Sequence, residues 1–468
     1  MELTDLDTPL RQQLFGPDFI WGVSTAAFQI EGSPDADGKG ESVWDVFTAK
    51  KGKILNAAHA RIACDFYNRY EEDIDLIKQL HIPNFRFSIS WSRLLPNGIG
   101  KVNQAGIDYY NRVINYCIEK GVEPWVTVYH WDLPHVLEQK GGWTNRDVIS
   151  WFSEFVTLCA QSFGDRVKHW MVMNEPVVFT GAGYFFGIHA PGRSGIRNFI
   201  PAIHHVVLSI TAGAKILRKL LPEAQIGTTF SCSQITPATD KPRDVAAAVR
   251  ADALINRLFI EPILGLGYPV KELPVLKTMQ KYMLPGDEDN MRFDFDFIGI
   301  QNYTREIVKY SFFTPYINAK MVKAEDRKVD ELTAMRWEVY PPSIYHMIKK
   351  FDAYPGIKSI IITENGAAFP DVVEEGKVND PQRLRYLQNY IRQVLKAKNE
   401  GCKVNGYFVW TLTDNFEWAE GYHPRFGLIY VDHTTQQRIV KESGKWYAKF
   451  LSEKLSESEF SEFKDFQN

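Results

Sequence analysis

Two glutamates, far apart in the chain, close runs of apolar residues: Glu175 ends KHWMVMNE (168–175) and Glu364 sits near the end of SIIITENG (359–366). A carboxylate directly after a buried strand is costly unless it is paired or functional. Two carboxylates facing one another suit cleavage of a glycosidic bond. In the retaining form they lie about 5 Å apart, one attacking the anomeric carbon while the other protonates the leaving oxygen. Taken singly, each glutamate is as well read as an ordinary cap on a following helix, because MNEP and TENG both lead into turn-like sequence. Asn174, immediately before Glu175, adds a group suited to orienting a sugar hydroxyl.

Such a pair needs a scaffold that brings residues 175 and 364 together. Eight short β-branched or aromatic runs recur at 19–25, 85–91, 124–130, 168–175, 225–231, 295–303, 359–366 and 405–414. Between them lie amphipathic stretches such as YYNRVINYCIEKG and RLRYLQNYIRQVLKAKNEG, with Gly121 and Gly401 as C-cap candidates. Strands alternating with helices imply right-handed βαβ units, and eight of them close into a (β/α)8 TIM barrel. A doubly wound open sheet competes, but neither GxGxxG nor GxxxxGK[ST] is present to serve its phosphate crevice. One domain is expected over 15–452, with 1–14 a flexible N-terminal segment and 453–468 a polar C-terminal tail.

Barrel strands present their C-terminal ends to the active site, so the polar residues that close each run are the informative ones. They include Arg86, His130, Asn174, Glu175, Asn302, Tyr303 and Glu364, with Trp410 on the eighth run. Runs four and seven stand on opposite sides of an eight-stranded barrel, which would aim Glu175 and Glu364 at one substrate.

Composition narrows the function classes. In 468 residues, 45% are hydrophobic and 24% charged, with a formal net charge of -3 and both signs interspersed. Nucleic acid and membrane are therefore not expected as partners. The N-terminal MELTDLDTPLRQQLFG lacks a basic region followed by an apolar stretch, and no apolar run long enough to span a bilayer is read from the sequence. A cytoplasmic protein is expected. Five scattered cysteines without a CxxC pair argue for reduced, mostly buried thiols. HExxH, an acidic EF-hand loop and a His/Cys cluster are all missing, so neither a metal nor a cofactor is expected.

From about residue 16 to 450 the chain resembles glycoside hydrolase family 1, the β-glucosidase family. FIWGVSTAAFQIEG is similar to that family's N-terminal signature, HWMVMNEP to its acid/base motif and IITENG to its nucleophile motif. RFSISWSRLLP, VTVYHWDLP, GGWTNRD, WEVYPPSIY, WTLTDNFEWAEGY and RFGLIYVD match in order. The resemblance implies a retaining exo-β-glycosidase without a cofactor, using Glu364 as nucleophile and Glu175 as general acid and base. It implies supporting roles for Tyr303, which holds the nucleophile, and Arg86, which keeps it ionised. A sugar would be read by Gln29, His130, Trp131, Asn174, Glu417 and Trp418, with Trp410 as a stacking floor and Phe426 beside it.

Glu417 and Trp418 bear on specificity, since a carboxylate accepts two sugar hydroxyls and repels a phosphate. Family members that cleave 6-phosphosugars resemble one another in a Ser, Lys and Tyr cluster absent here, so the expected substrate is an unphosphorylated β-linked glucoside or oligosaccharide. Pairing of Glu417 with a nearby Lys or Arg such as Arg425 is the plainer alternative. A Gln, His and Glu set admits glucose, galactose or fucose. Transglycosylation on the same site and a catalytically silent glycan-binding barrel are the competing functions. Tyr184, Phe185 and Phe186 are candidates for an aromatic leaving-group wall, while His204 and His205 fit helix packing. Gln301 departs from the family pattern, where Asn is commoner.

Overall fold

The apolar runs form strands because β-branched and aromatic side chains fit a pleated surface covered on both faces. The computed structural model describes residues 10–453, and each run supplies one strand. These are β1 Ile20–Ser24, β2 Asn84–Ser88, β3 Glu123–Tyr129, β4 His169–Asn174, β5 Gln225–Ser231, β6 Phe297–Gln301, β7 Ile360–Asn365 and β8 Val404–Trp410. Neighbours in the chain are neighbours in the sheet, and β8 pairs in parallel with β1 from Ile20↔Gly406 to Ser24↔Trp410. That pairing closes the (β/α)8 barrel and rules out the open sheet.

Helices pack outside through one apolar face. In Pro381–Asn399, Leu387, Ile391 and Val394 recur at helical spacing and are fully buried. Gly121 and Gly401, with φ of 70° and 84°, take the left-handed positions just past two of the helices.

The barrel interior is layered. Toward the N-terminal ends of the strands, Trp125, Met171, Phe297, Ile361 and Phe408 form a closed apolar plug. Two of these rings fill space left by glycines: a Cβ on Gly22 would lie 2.3 Å from Phe408, and one on Gly227 would lie 2.3 Å from Phe297. Above the plug sits a buried polar layer of Arg86, Thr127, Thr229, Gln301 and Thr363. The cavity opens above that layer, at the C-terminal ends of the strands.

Two expectations need correction. Residues 10–14 are not loose: Gln12–Phe15 forms a 3-10 turn, Leu10 and Leu14 pack on the core, and Gln12 donates to the Leu451 carbonyl at 2.8 Å. The remainder of the proposed flexible start (1–9) and nearly all of the tail (454–468) lie outside the described residues. Helix Ile196–Leu220 is also long and apolar enough to cross a membrane, with a mean hydropathy of 1.4. Its apolar window is 83% buried in the protein, as in the core helix of a globular domain.

The loop after β8 is pinned by a buried ion network. Lys441 bonds Asp371 and Asp414, both at 2.6 Å, Arg425 bonds Asp414 at 2.8 Å, and Arg383 joins Asp371 to Asp380. This network fixes the base of the segment that carries Glu417 and Trp418.

Candidate active site

Strand geometry delivers the two glutamates to one cavity of about 330 Å³. Glu364 belongs to β7 itself, so it caps no helix. Glu175 does sit at the start of the short helix Pro176–Thr180, but its side chain makes no capping hydrogen bond. Its backbone is left-handed, with φ 46°, a conformation costing a non-glycine residue on the order of 1–3 kcal/mol. The turn directs the carboxylate into the cavity instead of along the helix.

The two carboxylates are furnished very differently. Arg86 Nη1 donates to Glu364 Oε1 at 2.5 Å, Gln301 Nε2 donates to the same oxygen at 2.8 Å, and the Tyr303 hydroxyl donates to Oε2 at 2.6 Å. Among the described residues Glu175 has only Ser231 as a side-chain hydrogen-bonding neighbour. Burial raises both acidities' pKa. For Glu364 this rise is opposed by the Arg86 charge and by bonds from Tyr303 and Arg86. For Glu175 it is reinforced by the Glu364 charge, so its carboxyl is pushed well above the usual range. Glu364 is thus the more acidic of the pair, and the bond from Arg86 expected from the sequence is among the contacts that favour its anion.

Asn174 organises the polar layer beneath. Its Oδ1 accepts from Arg86 Nη2 at 2.6 Å, Gln301 Nε2 at 2.8 Å and the Thr229 hydroxyl at 2.9 Å. Three donors on Oδ1 fix the amide orientation and turn Nδ2 toward His130 Nε2 at 3.0 Å. His130 is neutral, since burial and then the Arg86 charge push its pKa well down. Nε2 therefore accepts, and the proton resides on Nδ1, which is buried without a partner.

At the other end of the cavity, Gln29 Nε2 donates to the Phe416 carbonyl at 2.9 Å and to Glu417 Oε2 at 3.2 Å. That leaves Gln29 Oε1 as a buried acceptor without a donor. Arg425 bonds Asp414 and not Glu417, so the plainer pairing is overturned. Burial first, then the Glu364 charge, push the Glu417 carboxyl up to about 8, against the Gln29 bond.

His130, Trp131, Trp410, Glu417, Trp418 and Phe426 all line the cavity, together with Tyr303, Glu175 and Glu364. Gln29, Arg86 and Asn174 stand behind its surface, buried. Trp131 also braces the layer below, donating to the Asn174 carbonyl at 2.9 Å, and its ring lies 4.5 Å from Trp418. Asn302 does not join the site: it donates to the Cys232 carbonyl and Ser343. Tyr184 is buried against Glu138, Phe185 packs on Phe199, and Phe186 is exposed, so none of the three forms a cavity wall. His204 and His205 pack within helix Ile196–Leu220, bonded to Asp287 and the Trp143 carbonyl.

Gln301, the departure from the family pattern, touches Glu364 directly through its amide. Sequence reasoning missed Glu306, Met335 and Trp337 on the wall. Trp337 had a signal in WEVYPPSIY; Glu306 had none beyond closeness to Tyr303. Among the described residues no group of His, Cys, Asp and Glu has the arrangement of a metal site.

A family model described as glycosyl hydrolase family 1 matches residues 11–455. β-Glucosidase A of Thermotoga maritima is 45% identical over 440 residues, covering 93% of this chain and 97% of that protein. β-Glucosidase A of Acetivibrio thermocellus is 41% identical over 446 residues, covering 93% and 98%. The solved β-glucosidase from Thermotoga maritima in complex with deoxynojirimycin superposes with a TM-score of 0.88 at 43% identity, covering 93% and 97%. With the barrel closed, the glutamates in one cavity and the match spanning nearly the whole chain, this protein belongs to glycosyl hydrolase family 1.

Proposed function

We propose that this protein hydrolyses unphosphorylated β-D-glucosides from the non-reducing end with retention, through a glycosyl ester on Glu364. The observation that carries the reading is the contrast between the two carboxylates. Glu364 is held by three donors that favour its anion, while Glu175 is buried, nearly without donors, and burdened by the charge of Glu364. Glu175 is therefore the one that carries a proton in the free enzyme.

In the first half-reaction Glu364 attacks the anomeric carbon while Glu175 gives its proton to the departing oxygen. Esterification removes the charge on Glu364, so the largest charge raising Glu175 disappears and Glu175 becomes a base toward water. Water then attacks the anomeric carbon, Glu175 takes its proton, and the bond from that carbon to Glu364 breaks to release the carboxylate.

Sugar recognition draws on His130 Nδ1–H as a donor and on the Glu417 carboxyl, oriented by the bond from Gln29 behind it, as a partner for sugar hydroxyls. Trp410 supplies an apolar face at the cavity floor, consistent with a pyranose ring. Glu175, Glu306, Glu364, Glu417 and Glu420 line the cavity with no Lys or Arg at its surface, which opposes a phosphorylated sugar. The names of the two β-glucosidases A support glucose in this subsite.

The test is a set of initial rates on aryl β-glucoside and β-galactoside, from about pH 4 to 9, for wild type, Glu364→Ala and Glu175→Ala. Expected are a bell-shaped wild-type profile favouring the glucoside, no turnover for Glu364→Ala, and for Glu175→Ala activity on well-activated leaving groups without the basic limb. Folded wild type that cleaves neither glycoside would contradict the reading.

A further inference from the structure

Glu306 is a carboxylate in the wall of the catalytic cavity that the reaction above does not use. It lies three residues beyond Tyr303 on the strand Arg305–Tyr310, which extends past the end of β6. Arg305, next to it in the chain, and Arg327, whose charge acts on it, are both committed elsewhere. Arg305 forks onto Glu338 at 2.8 and 2.9 Å, and Arg327 adds a third bond to Glu338 at 2.7 Å. Glu306 itself receives no hydrogen bond from any described residue. Burial pushes its carboxyl up to about 7, with Glu338 adding to the rise and Arg327 opposing it. Glu306 is half-buried and lines the cavity, so its carboxylate keeps its accepting capacity free for whatever enters.

The position says what that something is. Glu175, which delivers a proton to the leaving oxygen, bonds Ser231, and the chain from Ser231 runs beside the chain from Gln301, pairing Ser231↔Gln301, then Gln234↔Arg305 and Ile235↔Glu306, outward past the ends of β5 and β6. Gln29 and Glu417 stand on the segments after β1 and β8, where Gln29 donates to Glu417. The Glu306 side thus faces the leaving group. It offers one strong acceptor amid hydroxyls, with no Lys or Arg on the cavity surface to bind an anion.

We propose that Glu306 selects the leaving group, accepting hydroxyls of a second, neutral sugar unit so that β-linked disaccharides are preferred over apolar aglycones. The inference rests on the retaining-glucosidase reading and deepens it. Its test compares kcat/KM for cellobiose and p-nitrophenyl β-D-glucoside in wild type, Glu306→Leu and Glu306→Gln. The ratio of cellobiose to aryl glucoside is expected to fall about tenfold in Glu306→Leu, the effect of losing a hydrogen bond to a charged acceptor. Glu306→Gln keeps one acceptor oxygen and recovers part of that loss. If Glu306→Leu does not fold, Glu306→Gln decides alone through a fall of about threefold. A ratio that stays at the wild-type value, including a parallel loss on both substrates, overturns the proposal. Wild type that cleaves neither substrate would instead remove the catalytic reading, a separate failure.

Discussion

Gln301 and Asn174 meet in the barrel's polar layer: Gln301 Nε2 donates to Asn174 Oδ1 at 2.8 Å and, at the same distance, to Glu364 Oε1. One amide thereby joins the ends of β4, β6 and β7. It also sets both the orientation of Asn174 and part of the stabilisation of the Glu364 anion.

Replacing that amide by a carboxylate reverses its effect. Gln301→Glu puts a negative charge beside Glu364, which raises the Glu364 pKa. Because attack needs the anion, the acidic limb of the kcat/KM profile moves to higher pH. A profile with an unmoved acidic limb would show that Gln301 does not act on the nucleophile.

Tyr303→Phe removes the donor to the other oxygen of Glu364. A lost bond to a charged group is worth about 1.5–3 kcal/mol, so kcat/KM falls roughly 10- to 100-fold. The acidic limb again shifts upward, since the donor favoured the anion. Steady-state kinetics against pH, with the thermal midpoint as a folding control, check both effects.

Glu417 gives a prediction about stability. Its folded pKa, pushed up to about 8, lies above that of an unfolded glutamate near 4.3. Between those values the unfolded chain releases this proton before the folded one does, so the contribution present below about pH 4.3 is lost as pH rises toward 8. Glu417→Gln does not titrate and should gain thermal midpoint relative to wild type on going from about pH 5 to 8. Parallel melting curves of the two proteins test this. A constant difference between them would place the folded Glu417 pKa near its unfolded value.

Lys441 is fully buried between Asp371 and Asp414. Lys441→Met leaves those carboxylates short of a cation, a change that typically costs about 3–5 kcal/mol. Urea unfolding should show a loss of that size. KM for the aryl glucoside should also rise, because the network anchors the segment bearing Glu417 and Trp418. A loss below about 1 kcal/mol would mean Arg383 and Arg425 suffice.

The barrel was legible because its signal is local. Each strand is a short apolar run, and the residues closing those runs, such as His130, Glu175 and Glu364, mark the catalytic end. What sequence missed depends on contacts between distant segments. Gln29 and Glu417 are 388 residues apart yet bond side chain to side chain, and only the family resemblance placed them together. Glu306 carried no mark in the sequence, because its isolation depends on Arg305 and Arg327 both turning to Glu338. The aromatic run Tyr184, Phe185 and Phe186 misled for the opposite reason, since aromatic composition does not say which side of a segment faces a cavity.

The central claim is that Glu364 becomes covalently glycosylated. In 2-deoxy-2-fluoro-β-D-glucosyl fluoride the 2-fluoro group slows both formation and hydrolysis of the glycosyl ester, while the fluoride leaving group restores the rate of formation, so the ester accumulates. Intact-protein and peptide mass spectrometry should then find one fluoroglucosyl group per chain, on the peptide containing Glu364, in step with loss of activity. Label on a different carboxylate, or an active enzyme that turns over with inversion and never labels, would contradict the account.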